Sequence, residues 1–148
     1  CIRDRVYAEK LLISRQDQLS PMHTHIIKSE DIINRGGATL VVELYGSDDA
    51  GNFAEDKGGM VRCDGLDRPF GPGEKLALAP GESVTLNPGD WHAFWGEGGD
   101  VLIGEVSTVN DDETDNLFRE PLGRFAKVEE DVAPKHLLVS DYDAWFTT

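Results

Sequence analysis

The sequence predicts an all-β chain, a sandwich or jelly-roll barrel with only a few short helical turns. Strand-like runs recur about every ten residues with turn signals between them. Glycine (16) and proline (7) are plentiful, as a turn-rich fold requires. Helical periodicity is nearly absent.

The elements follow in order. Leu11–Ser14 is a short apolar run, and Pro21–Ile27 is a second strand. Thr39–Tyr45 is dense in β-formers. Residues 46–59 are polar and rich in Gly and Asp, so they read as a loop. Val61–Cys63 is a short strand before a turn at Asp64-Gly65, and Pro69–Gly73 is another turn. Lys75–Leu78 and Ser83–Leu86 are strands, with turns at Pro80-Gly81 and Asn87-Pro88-Gly89. His92–Trp95 is a strand leading to a tight turn at Gly96–Gly99, and Val101–Val106 is the next strand. His136–Val139 is the last. Thr114–Phe118 and Tyr142–Phe146 each suit a turn or so of helix. No internal repeat or second domain is visible, so residues 1–148 read as one domain with a ragged start over residues 1–6.

Composition narrows the function classes. Hydrophobic residues make up 39%, enough for a core. No run of about 18 apolar residues or apolar signal segment occurs. The net charge of −14 disfavours nucleic acid and anionic membrane surfaces as partners. It first of all serves solubility, and it suits a neutral ligand better than a phosphorylated one. Two cysteines, Cys1 and Cys63, make no disulfide framework and point to a reducing, cytoplasmic setting. No phosphate-binding glycine loop, Ser-His-Asp order or activated cysteine stands out.

Chemistry concentrates in Pro21-Met-His23-Thr-His25-Ile-Ile-Lys28-Ser-Glu30. Residues i and i+2 of a strand share a face, about 7 Å apart. His23 and His25 can therefore converge on one ion, and Glu30, past a short turn, can return a carboxylate to it. His92, after Pro88-Gly89-Asp90-Trp91, supplies a third imidazole from across the barrel. A lone His-x-His pair is more often without a metal. Three of the chain's four histidines fall in these two motifs. His136 lies in an apolar context and reads as structural. Glu43, mid-strand, is a weaker rival to Glu30. The donor set suits a divalent metal: Mn²⁺, Fe²⁺, Zn²⁺, Co²⁺ or Ni²⁺. Two positions of an octahedral ion would stay open for a chelating substrate.

His23-Thr-His25-(four residues)-Glu30-(six residues)-Gly37 resembles the first cupin motif, and Gly81 through Pro88-Gly89-x-x-His92 resembles the second. Asp17 stands where the first motif opens with Gly. Asn87 takes the usual Pro place, and Gly96 stands where the second motif ends in Asn. These departures touch turn geometry more than ligation. Tyr7-Ala-Glu-Lys10, Pro21-Met-His23, Glu30–Gly37, His92–Trp95, Gly104–Ser107 and Val109–Asp112 resemble the D-lyxose isomerases, over about residues 7–142. The resemblance implies a cupin barrel, a homodimer and an N-terminal truncation, since members can carry a helical segment ahead of the barrel.

It also implies aldose–ketose isomerisation of a small sugar, D-lyxose to D-xylulose and also D-mannose to D-fructose, through an enediol. Lys28 lies between ligands His25 and Glu30 and is the first candidate base, its pKa lowered by the cation; the resembled family has Lys there. A surface lysine in a turn is the alternative. Glu105, mid-strand, is the second candidate if it faces inward, with Glu120 and Glu43 as weaker ones. Phe94 and Trp95, with Trp91, either stack on sugar or belong to the core. Asp111 and Asp112, with Asn110, either bind sugar hydroxyls or form a solvated turn. Arg35 either closes the pocket or pairs with an acid. An Fe-dependent dioxygenase and a non-catalytic sugar-binding cupin are the competing readings.

Overall fold

The computed structural model describes residues 6–112, 114–122, 131–137 and 142–145. Among the described residues, nine strands form one antiparallel sheet: β1 (Tyr7–Ser14), β2 (Ser20–His25), β3 (Glu30–Tyr45), β4 (Gly59–Cys63), β5 (Leu66–Phe70), β6 (Glu74–Leu78), β7 (Ser83–Leu86), β8 (Trp91–Thr108) and β9 (Asn116–Phe118). The one helix among the described residues, α1, spans Tyr142–Trp145. The strand path is β5-β4-β7-β3-β8-β2-β9, with β1 also on β8 and β6 also on β3.

The two long strands organise everything else. β3 and β8 run antiparallel from Glu30↔Ser107 to Tyr45↔Trp91, with register shifts at 34/36 and 37/39. Gly37 (φ +99°) makes this bend possible, because a Cβ there would lie 2.2 Å from the Asp100 carbonyl oxygen. Asn34, fully buried, fastens the same bend: Nδ2 donates to the carbonyls of Ala38 and Leu78, and Oδ1 accepts from Gly36 N–H. Each half of a long strand therefore has its own neighbours. The first half of β3 pairs with β7 and the second with β6; on β8 the early residues meet β2 and the later ones β1. Ile32, Val84 and Ile103 from one half and Leu40, Val42, Leu44, Leu76 and Phe94 from the other share a single core.

Several expectations change. Thr39–Tyr45 is only the second half of β3, which starts at Glu30. Gly96–Gly99 does not end a strand; the ladder with β3 continues through Glu97 and Val101, so His92–Trp95 and Val101–Val106 are parts of β8. Leu66–Phe70 is a strand containing Pro69, tolerated because β5 ends the strand path and pairs only with β4. Residues 116–118 are strand β9 rather than helix, because they pair with His23–His25. His136 and Leu137 form no strand, and residues 138–139 lie outside the described ones, as does residue 146 of the expected last helix. Among the described residues no helix is long and apolar enough to cross a membrane.

Candidate metal centre

Strand alternation turns His23 and His25 of β2 to the same side. Residue 92 is the cross-strand partner of residue 23, and Glu30 opens β3 opposite Ser107 of β8. The ring centres of His23 and His92 lie 4.2 Å apart, His23 and His25 5.2 Å, and His25 and His92 5.8 Å. Glu30 Oε1 is 3.3 Å from His25 Nε2 and 3.1 Å from His92 Nε2. One donor atom from each of the four residues lies within 4.8 Å of all the others. His25, Glu30 and His92 are buried and His23 is half-buried.

The hydrogen bonds of these residues fit a cation. His23 Nδ1 is 2.7 Å from the Pro21 carbonyl and His92 Nδ1 is 2.9 Å from the Asp90 carbonyl. A carbonyl only accepts, so each Nδ1 carries the proton and each Nε2 is left with a lone pair. His92 Nε2 then faces a Glu30 oxygen, acceptor against acceptor. The side-chain nitrogens of buried His25 and Nε2 of His92 have no hydrogen-bond partner. Orphaned buried acceptors are costly, and a divalent ion placed among them satisfies Nε2 of His25 and of His92, leaving His25 Nδ1 to carry the ring proton 3.9 Å from Asp115 Oδ2. Burial, and then the adjacent His92, push His23 down to about 3, so its ring is a neutral ligand at ordinary pH. Burial raises Glu30, yet its carboxyl is held well below its usual range, and the Lys28 ammonium on its other oxygen favours the ionised form.

Lys28 is buried beside this group. Its Nζ lies 2.5 Å from Glu30 Oε2 and 3.0 Å from Glu105 Oε1. Burial alone would lower the Lys28 pKa; the two carboxylates outweigh it and raise the ammonium above its ordinary value. The expected lowered amine is therefore not what these protein neighbours produce. Lys10 Nζ also reaches Glu105 Oε1, at 3.0 Å. Glu105 faces inward and is buried, so the outward-facing alternative does not hold.

A cavity of about 370 Å³ opens over these groups, bounded also by Phe94, Asp112, Asn116 and Phe118. That volume lies in the range of about 300–1,000 Å³ usual for small-molecule sites. Of the residues expected to contact a substrate, Phe94 and Asp112 line it. Trp95 lies on the opposite face of β8, with Lys75 Nζ 5.3 Å from its ring centre. Asp111 does not line the cavity; its carbonyl caps the turn to Thr114 and Asp115. Trp91 packs on Phe53, Arg35 sits 3.8 Å from Glu9, Glu43 lies outside the donor cluster, and Glu120 and His136 are exposed. The sequence reading gives no site role to Lys10, Asp115, Asn116 or Phe118, which the structure places at or behind the cavity. Lys10 shares a strand face with Leu12 and Ser14, and extending the first strand to Tyr7 would have found it. The other three had no local signal, because their segment is polar and irregular.

An antiparallel barrel with three imidazoles and one carboxylate converging beside a cavity defines a cupin with a candidate metal centre. A family model described as D-lyxose isomerase matches residues 2–142. A D-lyxose/D-mannose isomerase of Serratia proteamaculans is 51% identical over 138 residues, covering 92% of this chain and 60% of the relative. One of Escherichia coli O157:H7 is 46% identical over 140 residues, covering 93% and 61%. This chain belongs to the D-lyxose isomerase family, and it spans about three fifths of the length of these relatives. The solved L-ribose isomerase of Cellulomonas parahominis shares the fold, with a TM-score of 0.54, 21% identity, and coverage of 76% of this chain and 57% of that one.

Proposed function

We propose that this chain is a metal-dependent aldose–ketose isomerase that interconverts D-lyxose and D-xylulose, with D-mannose and D-fructose as a second pair, through an enediol. The observation that carries the reading is the convergence of His23, His25, Glu30 and His92 beside the Lys28–Glu105 pair on one cavity. A divalent ion, Mn²⁺ first, supplies Lewis-acid polarisation of the sugar's carbonyl and adjacent hydroxyl when bound.

The chain's own residues account for the protons. Glu105 is buried and both lysine ammoniums bond the same oxygen, Oε1. Its other oxygen takes the C2 proton and returns it at C1. Lys28, an ammonium beside two carboxylates, gives a proton to O1 and takes one back from O2. No net proton is gained or lost, as isomerisation requires. Phe94 and Phe118 offer apolar surface to sugar C–H groups, and Asp112 offers acceptors to hydroxyls.

The test is a coupled assay of ketose formation across aldoses with Mn²⁺ added and then chelated. Ketose from D-lyxose that disappears with the chelator supports the reading; turnover indifferent to chelation overturns it. The same reading places the enzyme in the cytoplasm as a homodimer. Outward-facing Tyr7, Leu11 and Ile13 of β1 and Leu102 of β8 support the second copy, being 40–67% exposed apolar surface in one stripe. Sedimentation of a monomer at micromolar concentration would refute it.

A further inference from the structure

Asp115 lies behind the cavity, 3% exposed, in the segment that leads into β9. Its Oδ1 accepts from Ile26 N–H (3.1 Å) and Ile27 N–H (2.7 Å). Its Oδ2 accepts from Lys28 N–H (3.2 Å) and Asn110 Nδ2 (3.0 Å). The Asp115 carbonyl accepts a further bond from Ile26 N–H (3.2 Å). Three consecutive amides of one turn thus converge on one carboxylate.

The turn is anchored at its two ends, where the His25 carbonyl accepts from Gly89 N–H and Ser29 bonds both ways with Thr108, but the amides of residues 26–28 between them meet Asp115. Ile26 and Ile27 are 55% and 72% exposed, so core packing does not fix their backbone. Yet the next residue, Lys28, is 4% exposed and must aim its ammonium between Glu30 and Glu105. Charge-assisted bonds from a buried carboxylate provide the rigidity that packing does not. The same segment carries Asp112, Asn116 and Phe118, which line the cavity.

We propose that Asp115 is a positioning residue of the isomerase site: it clamps the 26–28 turn to the cavity wall and so sets the direction of the Lys28 side chain. This rests on the proton-transfer role given to Lys28 above. The effect on rate is through geometry, since a misplacement of about 1 Å in a reacting group can cost about 100-fold.

The test is Asp115→Asn in the metal-loaded chain. The amide oxygen can replace Oδ1 and keep the Ile26 and Ile27 bonds. The amide nitrogen then faces Lys28 N–H and the Asn110 amide, donor against donor, so the Lys28 end of the clamp opens selectively. Expected are unchanged metal stoichiometry, faster hydrogen exchange in a peptide covering residues 26–28, and kcat lower by about 10–100-fold with little change in KM. Adding Asp115→Asn to Lys28→Met should slow the enzyme almost no further than Lys28→Met alone, since both changes act on one group. Unchanged exchange, an unchanged kcat, or losses that multiply would each overturn the proposal. If Asp115→Asn lowers the folded fraction, Asn110→Ala removes only one donor to Oδ2 and should slow kcat in the same direction; no slowing overturns the proposal. If the unaltered chain makes no ketose, the isomerase reading fails while the exchange measurement still decides whether the clamp exists.

Discussion

His92 shows what one side chain contributes to this site. Its Nδ1 is committed to the Asp90 carbonyl, and its buried Nε2 has no protein partner beside Glu30. His92→Ala should reduce divalent-metal affinity by at least about 100-fold, beyond the cost of losing an outer-shell partner, and abolish ketose formation with it. Titration calorimetry with Mn²⁺ measures this, and full occupancy in the variant would count against the assignment. Lys28→Met separates ligation from chemistry. It keeps the buried volume and removes the ammonium between Glu30 and Glu105. Turnover should fall by about 10²–10⁴-fold, the usual worth of a general acid or base, while metal stoichiometry stays the same. The residue scale was the most legible in the sequence. His23, His25 and Glu30 sit within eight residues, where strand periodicity decides which side chains share a face. His92 needed only a turn and a strand start. Trp95 was not legible, because its neighbour Phe94 points to the cavity and the phase of an alternating strand cannot be fixed when both faces are apolar.

The decisive elements are two long bent strands rather than many short ones. The bend in β3 needs a residue without a Cβ at position 37, where φ is +99° and the Asp100 carbonyl is in contact range. Gly37→Ala combines backbone strain with a clash against main chain. It should destabilise the fold by about 3 kcal/mol or more, read as a lower urea midpoint with an unchanged slope. The glycines at Gly96–Gly99 read as a turn in the sequence, and those at Gly36-Gly37 precede the expected strand. They are bends inside strands whose pairing continues on both sides. β5 was missed for a related reason. Asp64-Gly65 is a two-residue hairpin turn with both φ values positive, 48° and 83°. Such a turn demands a partner for β4, but Pro69–Gly73 reads as a turn in the sequence. β9 had no strand signal, since three residues owe their conformation to pairing with His23–His25.

At the scale of the molecule, acid and metal act on the same buried group. The His23 ring titrates at about 3 in the fold against 6.5 in the unfolded chain. Between those values the unfolded chain binds a proton that the fold refuses, so stability is full above 6.5 and drains as pH falls toward 3. Glu30 adds in the same sense: its contribution is present above its ordinary 4.5 and is lost on further acidification. The metal-free protein should therefore melt progressively lower from pH 6.5 downward, by calorimetry. Mn²⁺ at about 100 times its Kd should stabilise the fold by about 2.7 kcal/mol, and a chelator should reverse the shift.

The sequence by itself determined the all-β class, the turns at Asp64-Gly65, Pro80-Gly81 and Pro88-Gly89, and the four ligand candidates, because alternation, turn chemistry and donor type are local properties of the chain. Tertiary structure alone decided that Glu105 faces inward to Lys28, that Lys10 joins them across β1 and β8, and that Asp115 reaches back 87 residues in sequence to hold the Lys28 backbone. Those contacts depend on where a bent strand returns, and the register of distant strands is set by packing around one shared core rather than by any stretch of neighbouring residues.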